Sequence, residues 1–341
     1  MITPPIGTDL TERLGLRWPI VQAPIGSGTT PELAAAVTNA GGLGTVSITW
    51  LPLDRARRAI EEARSLADGP VGVNVVIDPD SKWLSTDEQL SVVEETGVEV
   101  VSLSFGEAAP HVGRLHDAGA VVTQTVGSAV EAREAVDAGV DVVVAQGWEA
   151  GGHVQSEVAT MPLVPRVVDA VPDTPVVAAG GIADGRGIAA ALALGASGTW
   201  LGTRFVAAEE AALDDEYKRR VVDASESETT YSELFDGGWP DQPHRVLRNR
   251  TVERWEAAGR PPPGERPGDG ETIAELPNGR PVERYADVLP LPGMSEAVDE
   301  LALYAGQSAG LTGSVRPAAE IVRTLAAETV DAVHGLSSLV G

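Results

Sequence analysis

The chain of 341 residues lacks cysteine altogether. Thiol nucleophiles, disulfide frameworks, iron–sulfur clusters and cysteine-ligated zinc are therefore excluded. Lysine is almost as scarce, because only Lys82 and Lys218 among the 25 basic residues are lysines. Lys82 lies in a polar stretch and Lys218 follows an acidic helical run, so we expect both to be exposed. A Schiff-base enzyme, which needs a lysine at the end of an active-site strand, is thus disfavoured.

The chain also has few basic residues: 50 acidic residues against 25 basic ones give a formal net charge of −25. No basic patch is visible, so nucleic acid and anionic membrane surfaces are not expected partners. The sequence shows no signal-peptide pattern and no run of about 18 apolar residues, which predicts a cytoplasmic protein. An acidic, lysine-poor composition is typical of high-salt cytoplasms, where salt screens the repulsion, and a halophilic origin is our hypothesis.

Hydrophobic residues make up 43% of the chain, enough for a large core, and many lie in short continuous runs. Continuous rather than alternating hydrophobicity is typical of strands buried on both faces of a parallel sheet. The predicted strands cover residues 20–23, 43–46, 71–76, 98–103, 120–124, 140–146, 175–179 and 198–202. The helical stretches between them include 31–40, 53–66, 128–138 and 187–194. Eight β-then-α units predict a (β/α)8 TIM barrel, and an open doubly wound sheet stays the alternative.

The composition changes after about residue 225, because residues 236–293 are rich in glycine and proline. Glycine and proline are too frequent here for the strands and helices of barrel units, which predicts a small second subdomain with long loops. A helical pattern resumes over 317–333, and we expect this helix to pack back on the barrel. The predicted division is a barrel of residues 1–225 plus 311–341 and a small subdomain of residues 226–310 that covers the substrate.

Glycines follow the last two predicted barrel strands, at the end where barrel enzymes place their active sites. Gly180 and Gly181 follow the seventh strand, and Gly202 with Thr203 follows the eighth. Such loops let backbone N–H groups and the N-terminus of the next helix approach a phosphate, although Gly180 and Gly181 alone would also fit a tight turn. The sequence contains neither a P-loop nor a complete dinucleotide fingerprint.

Polar side chains at other strand ends complete the candidate site. His153 comes directly after two glycines in the loop that follows the sixth strand, where a neutral imidazole could bind an anion or remove a proton. Asn74 and Gln124 interrupt apolar strands, and each amide could meet a polar ring edge or be satisfied in the core. The other four histidines have no metal-ligand spacing, so no metal is expected, and we predict structural or solvent-facing roles for them. They are His111, His116, His244 and His334.

Several motifs together resemble the nitronate monooxygenases, formerly called 2-nitropropane dioxygenases. The resemblance covers nearly the whole chain and is weakest over residues 255–290. Its motifs are PIVQAP at 19–24, PELAAAV at 31–37, NAGGLG at 39–44, GVN at 72–74, AQGWEAGGH at 145–153, the stretch 178–204, and YAGQSAGL at 304–311.

The resemblance implies an FMN-binding barrel with a small second domain. It places the flavin ring near Ala23, Pro24 and Ile25, the last standing where the family usually has methionine. It puts polar ring edges at Asn74 and Gln124. It makes His153 the catalytic histidine, with Trp148 as a further pocket or packing residue. It also implies a phosphate site formed by Gly180, Gly181, Gly202 and Thr203, with Gly151 nearby. Separately from the resemblance, we expect Arg204 to add a local positive charge in an otherwise acidic chain.

The reaction that the resemblance implies is flavin-dependent oxidation of an alkyl nitronate, or of a nitroalkane, by O2. The carbon that bears nitrogen becomes a carbonyl, and nitrite is released. The implied partners are thus a small-molecule nitronate and O2, and a homodimer is left open. An NAD(P)H-dependent flavin oxidoreductase, such as an enoyl-acyl-carrier-protein reductase of the FMN type, fits the same motifs. A flavin-free barrel that binds a phosphate ligand is the alternative from another class.

Overall fold

The computed structural model describes residues 4–78 and 85–339, so Lys82 lies outside the described residues. Its strands are β1 Ile20–Gln22, β2 Gly44–Ser47, β3 Val71–Val76, β4 Val100–Ser104, β5 Val121–Val126, β6 Val142–Gln146, β7 Gly152–His153, β8 Val176–Ala179, β9 Gly198–Leu201, β10 Thr229–Ser232, β11 His244–Leu247, β12 Thr272–Glu275 and β13 Pro281–Glu283. Its α-helices are α1 Asp9–Leu14, α2 Pro31–Asn39, α3 Leu53–Leu66, α4 Thr86–Thr96, α5 Ala109–Asp117, α6 Ala129–Asp137, α7 Thr160–Ala170, α8 Gly185–Ala193, α9 Thr203–Val206, α10 Asp215–Asp223, α11 Arg250–Ala257 and α12 Ala318–Ser337. Short 3-10 helices cover Gly26–Gly28, Ser295–Glu300 and Gln307–Leu311.

Within these residues, eight parallel strands form one sheet in the order β1-β9-β8-β6-β5-β4-β3-β2. The two end strands meet through a parallel bridge between Val21 and Leu43, where the Gln22 N–H donates to the Leu43 carbonyl at 2.9 Å. The sheet therefore closes, which confirms the TIM barrel and makes the open doubly wound sheet wrong. The carboxyl ends of all eight strands point to one mouth.

The strands form where apolar runs are buried on both faces. Outward side chains such as Val73 and Leu103 pack with the surrounding helices in the large core. Inward side chains such as Val142 and Val144 form a smaller cluster, to which Leu10 of α1 contributes. Helix α1 thus covers the end of the barrel opposite the mouth. Polar residues such as Asn74 and Ser104 enter the barrel nearer the mouth, where the site forms.

Two elements differ from the sequence-based expectation. Strand β5 runs on to Val126 instead of ending at Gln124. The loop after β6 contains the two-residue strand β7, which pairs with β11 and not with the barrel. A continuous hydrophobic run cannot reveal either feature, because the first depends on strand pairing and the second on a partner about 90 residues away.

The prediction that Lys218 is exposed is wrong. Its side chain lies on the inner face of α10 and is 5% exposed, and Nζ donates to the Glu209 carbonyl at 3.1 Å. Burial lowers the pKa of this ammonium, while nearby carboxylates raise it in part. The acidic run before Lys218 suggested a solvated helix, but its apolar partners Tyr217 and Val221 turn this face inward.

Residues 226–310 contain β10, β11, β12, β13 and α11. Strands β10 and β11 form an antiparallel sheet that β7 extends, and β12 pairs with β13. Two apolar clusters lie in this region, one around Phe235 and Tyr285 and one around Val282 and Met294. The division into two domains at residues 225 and 311 stays a prediction. Among the described helices, none is both long and apolar enough to cross a membrane.

Candidate active site

A short loop at the barrel mouth carries His153, and the side chain of Gln146 holds the segment from His153 to Gln155. Gln146 is the last residue of β6, and its Nε2 donates to the His153 carbonyl at 3.2 Å. Its Oε1 accepts the N–H of Gln155 at 2.8 Å. Gly152 has a φ of +73°, in the left-handed region that favours glycine, which lets the chain turn immediately before the histidine. The loop is thus held by the strand that leads into it.

Strand β7 places His153 opposite His244 of β11. Directly opposed residues share one face of a sheet, and the two imidazole centroids are 5.6 Å apart. His244 is fully buried, with Nδ1 donating to the Gln242 carbonyl and Nε2 accepting the N–H of Phe235, both at 3.1 Å. Its role is structural, as one of our two readings predicted, but it is not solvent-facing and it adjoins the site.

Aromatic rings enclose the His153 imidazole. The ring centroid of Trp239 lies 4.5 Å from that of His153, with Tyr304 at 5.5 Å and Phe105 at 6.3 Å. Phe105 has a φ of +59°, which is unusual for a bulky residue, and its ring contacts Trp239 edge-on at 4.8 Å. These three rings, together with His244, are called the ring cage below. Strain at Phe105 is of the kind that collects at functional sites.

One nitrogen of His153 is left without a partner inside this cage. Nε2 is buried and makes no hydrogen bond within the described structure. The nearest carboxylate is that of Asp287, whose Oδ2 lies 3.8 Å away, too far for a hydrogen bond. The other carboxylate oxygen accepts a hydrogen bond from the Tyr304 hydroxyl at 2.6 Å. A buried polar nitrogen without a hydrogen-bond partner is costly unless a ligand satisfies it.

Burial controls the protonation of these groups. It lowers the pKa of His153 below the ordinary 6.5, and the Asp287 charge offsets this only in part. Burial and the neighbouring His153 lower the pKa of His244 to about 4. Burial and Asp287 raise the pKa of Tyr304 well above 10. At neutral pH His153 is therefore a neutral imidazole, one ring nitrogen of which can accept a proton.

The predicted glycine loops lie next to one another at the mouth. Gly180 and Gly181 have φ values of +97° and +73°. A Cβ on Gly180 would come within 2.8 Å of the Gly147 carbonyl, so close packing alone explains that glycine. A Cβ on Gly181 would meet only the side chain of Glu149, at 3.4 Å. Gly181 thus exposes its backbone, as a bound phosphate would require.

Gly202 is not explained by packing or backbone conformation. Its φ is −101°, which any residue adopts, and a Cβ there would meet only Ala23 at 3.6 Å. The space that this missing Cβ leaves is a cradle of the kind that a bound phosphate fills. Thr203 beside it accepts the N–H of Gly306 through Oγ1 at 2.9 Å, which leaves its hydroxyl proton free to donate.

Gly151 belongs to the packing around this cradle. A Cβ there would lie 2.3 Å from the backbone nitrogen of Gly306, so glycine is needed for close contact between two backbone segments. The same segment of Gly306 reaches Thr203, which links the histidine loop to the loop after β9. Gly151 and Gly180 thus pack against other backbone segments, whereas Gly181 and Gly202 have open surroundings. These four glycines and Thr203 are called the glycine cradle below.

The N-terminus of α8, which the sequence predicts to face a phosphate, is capped by carboxylates. Asp184 caps this helix by accepting the Gly187 N–H at 3.0 Å, and Glu328 accepts the Gly185 N–H at 3.0 Å. These carboxylates satisfy the end of the helix and would repel an anion. Arg204 is buried, donates Nη1 to the Ser314 carbonyl at 3.2 Å and has its pKa lowered by burial and then by Arg316.

The residues expected at the flavin ring do not all face the mouth. Ala23, Pro24 and Ile25 follow β1, and the Ala23 N–H donates to the Leu201 carbonyl beside the glycine cradle. Asn74 points into the barrel, where Nδ2 donates to Ser104 at 2.7 Å.

Gln124 differs from Asn74, because it shares a strand face with Val122 and Val126, which pack against the helices. Its Nε2 donates to the Gly106 carbonyl at 3.1 Å. The structure thus gives Gln124 a core position instead of bringing it to the other candidate residues. Trp148 also has a packing role, with the buried Arg245 guanidinium 4.2 Å above its ring.

Sequence reasoning missed most of the ring cage and the carboxylate. Phe105, Trp239, Tyr304 and Asp287 come from separate segments with no shared motif. Two signals were available: aromatic residues are only 4% of the chain, and Trp239 follows a Gly-Gly pair as His153 does. Tyr304 opens the motif at 304–311, which was read as part of the resemblance only.

Comparisons with known proteins show which family this chain resembles. A family model described as nitronate monooxygenase matches residues 8–328. A nitronate monooxygenase from Paraburkholderia phytofirmans is 33% identical and covers 95% of each chain. A (3aS,4S,5R,7aS)-5-hydroxy-7a-methyl-1-oxo-octahydro-1H-indene-4-carboxyl-CoA dehydrogenase from Mycobacterium tuberculosis is 39% identical and covers 74% of this chain and 69% of its own.

Two solved structures extend the similarity over nearly the whole fold. FabK from Thermotoga maritima has a TM-score of 0.84 at 34% identity and covers 98% of this chain and 99% of its own. The nitroalkane oxidase from Streptomyces ansochromogenes has a TM-score of 0.78 at 32% identity and covers 96% and 99%. With a family model over nearly all of the sequence and a relative matched along almost its full length, this enzyme belongs to the nitronate monooxygenase family.

Proposed function

We propose that this enzyme uses FMN to oxidise alkyl nitronates, and their parent nitroalkanes, with O2 to carbonyl compounds and nitrite. The observation that carries the proposal is the unpartnered Nε2 of His153, enclosed by the ring cage at the barrel mouth. A neutral imidazole there would contact the reacting carbon or its nitro group. His153 is therefore the proposed catalytic residue.

The glycine cradle fits the phosphate of FMN. The backbone at Gly181 and Gly202 is open to close approach, and the Thr203 hydroxyl can donate to a phosphate oxygen. Ala23 and Ile25 would pack on the ring, and Asn74 supplies a polar group inside the barrel. When bound, FMN would supply the chemistry of accepting the substrate electrons and passing them to O2.

The chain's own groups would bind, orient and deprotonate the substrate. Trp239 and Phe105 would exclude water around the reacting carbon, which strengthens electrostatic interactions there. His153 would take the proton of a nitroalkane at Nε2, since burial keeps the imidazole neutral at pH 7. We further propose that residues 226–310 act as the substrate-covering subdomain, because they contribute Trp239, Asp287 and Tyr304.

A second candidate is an NAD(P)H-dependent flavin oxidoreductase or a dehydrogenase of CoA esters. The similarity to FabK and to the mycobacterial CoA-ester dehydrogenase favours it. Fold and cofactor are shared across such chemistries, so the substrate must be tested directly.

Anaerobic mixing separates the candidates. Purified protein is mixed without oxygen with a nitronate, a nitroalkane, NADH or NADPH, and flavin absorbance is followed. Bleaching by the nitro compounds alone supports the proposed function, whereas rapid bleaching by NADH or NADPH favours the second candidate. A colourless protein that binds no added FMN would overturn both and support a flavin-free barrel.

A further inference from the structure

The Asp287 carboxylate faces the free nitrogen of His153. Its Oδ2 lies 3.8 Å from His153 Nε2, and both side chains are nearly buried, at 14% and 13% exposure. In the described residues, no other carboxylate lies within 4.0 Å of this imidazole. The remaining groups around His153 are the neutral rings of Trp239 and Phe105 and two titratable groups, His244 and Tyr304. Asp287 is thus the one negative charge in the cage.

The backbone holds Asp287 firmly in this position. Gly237 and Ala286 form a parallel bridge, and a Cβ on Gly237 would lie 2.8 Å from Ala286 Cα. The Asp287 N–H donates to the Gly237 carbonyl at 3.1 Å, and the Tyr304 hydroxyl donates to Oδ1 at 2.6 Å. The carboxylate therefore cannot turn away without breaking hydrogen bonds.

The electrostatic interaction of His153 and Asp287 with a substrate depends on the charge of that substrate. The Asp287 carboxylate places negative charge beside the imidazole, and this charge repels an anionic nitronate at short range. A neutral nitroalkane meets no such repulsion. When its C–H bond breaks and the proton moves to Nε2, the electron pair stays on the nitroalkane as its nitronate. The new imidazolium then lies beside the carboxylate.

We propose that Asp287 is a positioning residue that makes this site select neutral carbon acids, with nitroalkanes as the case at hand, over preformed anions. The inference rests on the proposed function for its substrates. The physical basis of this selectivity is the attraction between Asp287 and the charged form of His153, which grows as the proton moves from the substrate to the imidazole. Tyr304 supports the effect by fixing the carboxylate.

The first test compares kcat/KM for one nitroalkane and its preformed nitronate in the wild type and in Asp287→Asn. The ratio of nitroalkane to nitronate activity should fall by about tenfold or more, because the carboxylate assists only the proton transfer. Tyr304→Phe should shift the ratio in the same direction by less. Asp169→Asn, the same change at an exposed position on α7, should leave it unaltered. Equal losses with both substrates would overturn the proposal.

The second test needs no turnover. The imidazole of His153 is titrated by NMR in the flavin-loaded protein labelled at histidine, with its signal assigned from His153→Ala. The pKa of His153 should fall in Asp287→Asn, because a neighbouring negative charge that stabilises the imidazolium is removed. An unchanged pKa would overturn the coupling. If the wild type turns over neither nitro compound, the proposed function fails, and this titration still decides whether Asp287 controls His153.

Discussion

The glycine cradle and the ring cage meet at the barrel mouth but are built by different means. The cradle consists of backbone in loops that follow β6, β8 and β9, together with the adjoining segment at Gly306. The cage consists of side chains from segments as far apart as Phe105 and Tyr304. A barrel places its loops wherever its strands end, so the cradle follows from the fold, whereas the cage depends on how residues 226–310 fold over the mouth. His153 connects the two, because its loop supplies Gly151 to the cradle and the cage encloses its imidazole.

Replacing the residue that joins the two regions should have the largest effect. His153→Ala should reduce turnover of a nitroalkane by about 10² to 10⁴-fold, because the base is lost, while FMN stays bound on the cradle. Steady-state rates and the flavin-to-protein ratio measure the two outcomes. His334→Ala, at an exposed position of α12, is the control. Loss of flavin together with activity would show that the two regions are not separable.

The cage should also make stability depend on pH. His244 has a pKa of about 4 when folded against 6.5 ordinarily, so the unfolded chain binds the additional proton between these values. The free energy of unfolding should therefore fall by about 3 kcal/mol as pH decreases from 6.5 to 4. Urea unfolding at several pH values measures this free energy, and His244→Gln should make it depend less steeply on pH. An identical slope in that variant would assign the effect to other groups, including His153.

A side chain added at Gly202 should fill part of the glycine cradle without straining the fold. Gly202→Val should weaken FMN binding by about tenfold or more, or about 1.4 kcal/mol, because the new side chain occupies the space where phosphate would lie. The melting temperature without flavin should change little, since φ is ordinary and the nearest atom is 3.6 Å away. Fluorescence titration with FMN measures the affinity. Gly313→Val, at an exposed glycine with open surroundings, is the matched control, and equal affinities would remove the cradle from the phosphate site.

The smallest expected effect is that of salt on the activity of the site, because the cradle and the cage are buried. The net charge of −25 lies mainly on the surface, where salt screens its repulsion, so the melting temperature should rise between low and molar salt. The ratio of nitroalkane to nitronate activity should change little. A melting temperature that does not respond to salt would contradict the halophilic hypothesis.

The fold was predictable because its signal is local and repeated. Eight apolar runs separated by helical stretches indicate a barrel, and residues such as Gly181 and His153 fall at strand ends. The misplacement of Gln124 shows the limit of this reasoning, since a continuous apolar run does not reveal which face of β5 each side chain takes. Asp287 and Trp239 were not predictable, because they approach His153 only through contacts such as Gly237 with Ala286. The prediction that Lys218 is exposed was wrong for a related reason, because the burial of a side chain depends on packing and not on the charges of its neighbours in the sequence.

The pairing of β7 with β11 ties the order of chain synthesis to the onset of activity. His153 leaves the ribosome long before His244, Asp287 and Tyr304, so its loop is synthesised well before the segments that enclose the imidazole. Until those segments fold, the imidazole has neither the burial nor the neighbouring carboxylate that affect its protonation. The environment of His153 is therefore complete only after the chain has been synthesised through Tyr304 and has folded.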